Sequence, residues 1–162
     1  MCIRDRSWLV SQGVNESNAS KALAICGGTP LVALDYVHSE DISHFESLLN
    51  ALVSLLEKRG GVIDAREQVL GLQSPAVVLA WLQMVINWMI SSIQLGSREG
   101  QRPWQAYQRT FSGLSRGLDE KHLPALFKLY DDLLEVKRQD VDVIHFGLLL
   151  DRWLIAFEQR LR

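Results

Sequence analysis

Residues 74–95 read SPAVVLAWLQMVINWMISSIQL, and this stretch decides the class of fold. No Asp, Glu, Lys or Arg occurs between Glu67 and Arg98. Ser74-Pro75 is a helix start signal, because proline fits a first turn where its missing N–H would have no intrahelical partner. At about 1.5 Å per residue, the run from Ala76 to Leu95 is long enough to span a bilayer. Gln83, Asn87, Ser91 and Gln94, however, recur at helical spacing and form one narrow polar stripe. A helix apolar on every side but one strip reads as the central helix of a soluble bundle, and not as a membrane span.

Working outward, helical periodicity continues in both directions, and no run of period-two alternation or Asn-Gly hairpin signal interrupts it. Upstream, Ile42, Phe45, Leu48, Leu49, Leu52, Leu55 and Leu56 line one face of a long helix. Ser43 and Glu46 have capping-box spacing at its start. Lys58-Arg59 fit its last turn and Gly60-Gly61 its stop. Asp64 and Glu67 repeat the capping-box spacing before a short helix around Val69 and Leu70. Farther upstream, Asn15 or Ser17 caps a short helix that ends at Gly27-Gly28, and Pro30 opens the next one. His38-Ser39-Glu40-Asp41 is a polar break that marks a domain boundary, with 8–38 on one side and 41–162 on the other.

Downstream, Gly96 to Gly100 reads as a loop and Pro103 as the start of a helix with Trp104, Tyr107, Phe111, Leu114 and Leu118 on one stripe. Gly113 and Gly117 on that helix permit close approach of a neighbour. Asp119 caps a further helix with Leu123, Leu126, Phe127, Tyr130, Leu133 and Leu134 inward. Asp140 or Asp142 caps the last one, which carries Ile144, Leu148, Leu149, Trp153, Ile155 and Phe157. The expected fold is therefore an all-α helical bundle, preceded by a short helical unit. The opening Met1 to Ser7 has neither the apolar region nor the cleavage site of a signal peptide and reads as a non-native or unstructured lead.

Of the 162 residues, 48% are apolar, which is enough to build a core, and the net charge of −2 gives no general attraction to nucleic acid or anionic lipid. Two cysteines, Cys2 and Cys26, have no metal-type spacing and read as free thiols in a reducing, cytoplasmic setting. No phosphate-binding GxxxxGK[ST], no GxSxG and no HExxH occurs. Among His38, His44, His122 and His145, none has the i, i+4 partner of a helical zinc site. No catalytic residue, cofactor site or metal site is expected.

Two weaker constellations remain. Asp142 and His145 are three apart, and with buried Gln83 or Asn87 they make the case for a ligand- or metal-binding bundle unrelated to the assembly reading below. Arg102, Arg109 and Arg116, spaced by seven, would form a basic stripe on one helix that contacts phosphate or an acidic partner. Against both stands a solvated polar surface, which also accounts for the mixed charges Asp131-Asp132, Glu135 and Lys137-Arg138.

Some segments are more specific. Trp8-Leu9, then Ala22-Leu23-Ala24 running into Gly27-Gly28-Thr29-Pro30-Leu31-Val32-Ala33-Leu34, resemble the end of the helical lid of bacterial clamp-loader subunits, the delta-prime family of DNA polymerase III. Leu148-Leu149-Leu150-Asp151-Arg152-Trp153-Leu154 is similar to the last helix of that family's C-terminal collar. The resemblance covers Trp8 to Arg162. It implies the end of an AAA+ lid over 8–38 and an oligomerisation collar over 41–162. It also implies partners: collar helices that pack with delta and gamma/tau subunits into a hetero-pentamer, which loads the beta sliding clamp onto primed DNA for the polymerase. In ATP-binding relatives the matching segment reads GSxRDAL and its arginine touches nucleotide. Leu31 takes that position here, which implies a stator that does not hydrolyse ATP. The family's zinc cysteines and arginine finger match no residue of this chain. Trp104, Tyr107, Leu148, Leu149 and Trp153 are the candidates for core or interface, two roles that sequence does not separate.

Overall fold

The computed structural model describes residues 3–95, 102–138 and 143–161. The expected loop at Gly96 to Gly100, the candidate caps Asp140 and Asp142, and Cys2 lie outside them. Among the described residues there are nine α-helices, two short 3-10 turns and no strand. The helices are α1 (Ile3–Ser11), α2 (Glu16–Ile25), α3 (Pro30–His38), α4 (Asp41–Leu56), α5 (Val62–Leu70), α6 (Pro75–Leu95), α7 (Gln108–Ser115), α8 (Leu123–Arg138) and α9 (Val143–Arg160).

The helix ends follow local chemistry. Asn15 Oδ1 accepts the Asn18 backbone N–H at 2.8 Å and so caps α2. At the other end Gly27 takes φ 66°, and the Gly28 N–H returns to the Leu23 carbonyl at 2.9 Å. Pro30 then opens α3 behind Thr29. The end of α4 departs from expectation. Lys58, not a glycine, takes the left-handed conformation at φ 57°. Arg59 N–H bonds the Ser54 carbonyl at 2.9 Å and Lys58 N–H the Leu55 carbonyl at 3.3 Å, closing the helix two residues before the glycine pair. Gly61 instead takes the N-cap position of α5, where its N–H donates to Asp64 Oδ2 at 2.9 Å. Asp64 thus lies inside the first turn and not before it. Ser43 likewise lies inside α4, which starts at Asp41.

Two hydrophobic clusters fill the interior. The smaller joins Leu9, Ala19, Ala22, Leu23 and Ala33 of the first three helices with Val14 of the turn between α1 and α2. The larger begins with Ala24 and Ile25 at the end of α2 and takes in every helix from α4 onward. At its centre Phe45 meets Trp81 and Trp88 edge-on, each at 5.6 Å between ring centroids, and Tyr107 at 5.0 Å. Such edge contacts contribute about 0.5–1.5 kcal/mol each beyond area burial. The Tyr107 hydroxyl donates to the Lys21 carbonyl at 3.3 Å, and Lys21 Nζ pairs with Glu46 at 2.6 Å, so α2 is tied to the larger body.

The apolar helix α6 packs chiefly on α8, and 56% of its most apolar stretch is buried. By length and composition alone it would also cross a membrane. Its outer strip runs through Ala76, Ala80, Asn87 and Gln94, which are exposed, whereas Gln83 is buried. Gly113 of α7 lies against Val53 of α4 closely enough that a Cβ there would sit 2.9 Å from Val53 Cγ1.

Of the lead expected over 1–7 as non-native or unstructured, residues 3–7 are helical: α1 begins at Ile3, and Arg6 pairs with Glu16 at 3.4 Å. The inward lists are also corrected. Phe127 is 48% exposed, and the buried stripe of α8 is Leu126, Leu129 and Leu133.

Candidate interaction surface

The structure separates the five core-or-interface candidates. Trp153 is buried, stacks on Phe157 at 5.1 Å, and donates its indole N–H to the Leu129 carbonyl at 3.0 Å. It is a core residue joining α9 to α8. Tyr107 is likewise core. Burial, followed by the negative charge of Glu46, holds its hydroxyl protonated far above the ordinary tyrosine range. Trp104 is half-buried, with its ring 5.7 Å from Phe111 and the Arg102 guanidinium 5.3 Å above it. Leu149 is half-buried, and Leu148 is 64% exposed.

The reason for the split is the phase of α9. Phe146, Leu150, Trp153, Leu154, Phe157 and Leu161 form its buried stripe, at helical spacing. Leu148 and Ile155, seven apart, fall on the opposite side and face outward. α9 runs antiparallel to α5. A Cβ at Gly147 would stand 3.5 Å from Leu70, and one turn along Arg66 Nη1 meets Asp151 Oδ2 at 3.1 Å. Ile63, three residues before Arg66, and Ile155, four after Asp151, continue these two ridges by another turn. Ile63 is 64% exposed and Ile155 42%. The outer ridge of α5 and α9 therefore presents Ile63, Leu148 and Ile155 around a half-buried ion pair. Within that pair, Arg66 Nε and Asp151 Oδ1 are buried and find no hydrogen-bond partner among the described residues. The sequence pattern lists Leu148 and Ile155 together with the buried Trp153 and Phe157 on the last helix without separating its faces, and it does not single out Ile63. The outward phase of Ile155 was readable from the Trp153–Phe157 spacing.

The arginine stripe does not form as expected. Pro103–Tyr107 is a 3-10 turn and α7 only begins at Gln108, so no single helix carries all three side chains. Pro103 and the tighter turn change the angular advance per residue. Arg102 lies over Trp104, Arg109 is exposed beside Lys21 and Glu46, and exposed Arg116 reaches Glu57 at 3.9 Å after the helix has ended.

Ionisable groups do gather in one hollow of about 190 Å³ between α8 and α9, lined by Lys128, Asp132, Glu135, Arg152 and Arg160 above Trp153. Asp132 accepts from Lys128 at 3.0 Å and Arg160 at 3.1 Å. Burial alone would raise its pKa, but the two cations more than offset this and hold it below the usual carboxylate range. Among the described residues no three His, Cys, Asp or Glu side chains could hold a metal ion. Of the ligand-bundle constellation, His145 and Asn87 are exposed, Gln83 is buried, and Asp142 lies outside the described residues. The Cys26 thiol donates to the Thr29 carbonyl at 3.2 Å, and burial raises its pKa, which lowers its reactivity at neutral pH. Leu31, in the first turn of α3, is 69% exposed. No protein-family model, curated protein or solved structure matches the chain.

Proposed function

We propose that the chain is a non-catalytic assembly subunit of the bacterial DNA polymerase III clamp loader, of the delta-prime kind, acting in the cytoplasm. Helices α4 to α9 serve as its collar and join delta and gamma/tau subunits in the hetero-pentamer that loads the beta clamp onto primed DNA. Helices α1 to α3 serve as the end of the AAA+ lid. The observation that carries the reading is the way the two hydrophobic clusters divide. The smaller lies almost wholly within 8–38 and the larger almost wholly beyond 41, on either side of the lid–collar border that the resemblance implies.

Two further features support it. The outer ridge with Ile63, Leu148 and Ile155 offers apolar surface to a sister helix, on the helix whose sequence resembles the family's last collar helix. Covering such side chains yields about 25 cal/mol per Å² before the costs of association. Leu31 also points to solvent from the first turn of α3, where ATP-binding relatives carry their nucleotide-touching arginine. A leucine there forms no charge-assisted contact to phosphate, in keeping with a stator.

The test is co-expression of the chain with delta and gamma/tau from one bacterium, followed by affinity purification through delta. Recovery of the chain in stoichiometric amount is expected. Its absence at micromolar concentrations, with the chain folded by circular dichroism, refutes the proposal.

A further inference from the structure

We draw no further inference here: the strongest candidate, the charged hollow between α8 and α9 where Arg152 and Glu135 stand beside the Lys128–Asp132–Arg160 ion pairs, carries charges of both signs that select no single ligand, and nothing in the structure shows what covers it.

Discussion

Replacing Gly113 with alanine should destabilise this protein, although alanine is the better helix former. In an unhindered helix the change favours folding by about 0.8–1 kcal/mol. Here the added Cβ would stand 2.9 Å from Val53 Cγ1 and 3.1 Å from Cγ2. Val53 cannot swing aside: it is 7% exposed, and a β-branched side chain in a helix has one strongly preferred rotamer. Helices α4 and α7 must therefore separate by several tenths of an ångström, an overpacking that costs about 1–3 kcal/mol. The net loss is about 1 kcal/mol, or roughly 2–4 °C in Tm for a chain of this length. Val53→Ala removes both clashing methyls and is destabilising by itself. In that background, Gly113→Ala should recover its intrinsic gain of about 1 kcal/mol. The same substitution thus changes sign between the two backgrounds. Urea unfolding of the four proteins in this double-mutant cycle, followed by circular dichroism, measures the coupling directly. If Gly113→Ala raises the stability of the parent chain, the close approach of α4 and α7 is refuted.

Other perturbations test other parts of the account. Lys58→Gly should stabilise by about 0.5–1 kcal/mol, because glycine adopts the left-handed conformation without a Cβ penalty; thermal melts showing no gain would place the turn elsewhere. Tyr107→Phe should cost about 0.5–1.5 kcal/mol at neutral pH through the lost bond to the Lys21 carbonyl. Its alkaline behaviour has a definite sign. The folded hydroxyl titrates far above the unfolded value near 10, so the native state holds its proton longer. The stability this gives is complete below pH ~10 and is lost as pH rises beyond it. Denaturant curves across that range should therefore fall less steeply for Tyr107→Phe than for the parent. The pair Leu148→Ala and Ile155→Ala should leave stability within about 0.5 kcal/mol, since both side chains face outward. If sister subunits cover that ridge, the pair should weaken assembly by about 2 kcal/mol, near 30-fold in Kd by fluorescence titration.

Much of this architecture is written in spacing. The glycine pair ending α2 and the proline opening α3 each report a local backbone requirement that no distant contact alters, whereas the polar stripe of α6 holds only in part, because packing buries Gln83. Phase was harder than existence. In α9 the run Leu148-Leu149-Leu150 fits two helical faces, and only the aromatic ladder Phe146, Trp153 and Phe157 selects the buried one. Apolar character alone does not separate Ile155 from Trp153 and Phe157, and the helix turns Ile155 out. The arginines failed for another reason. A spacing of seven makes a stripe only on a continuous α-helix, and the 3-10 turn at 103–107 breaks that condition. Lys58 shows the same limit at a helix end, where Gly60-Gly61 invites the stop but hydrogen bonding closes α4 earlier. The ridge of Ile63, Leu148 and Ile155 depends on the antiparallel register of α5 and α9, a tertiary fact with no trace in either helix alone.

Sedimentation velocity of the purified chain mixed with delta and gamma/tau tests the assembly claim most directly. The account predicts one fast-moving species that contains all three kinds of subunit, slowed or dispersed when Leu148 and Ile155 are alanine. A chain that sediments by itself at every ratio, while delta and gamma/tau associate without it, contradicts the account.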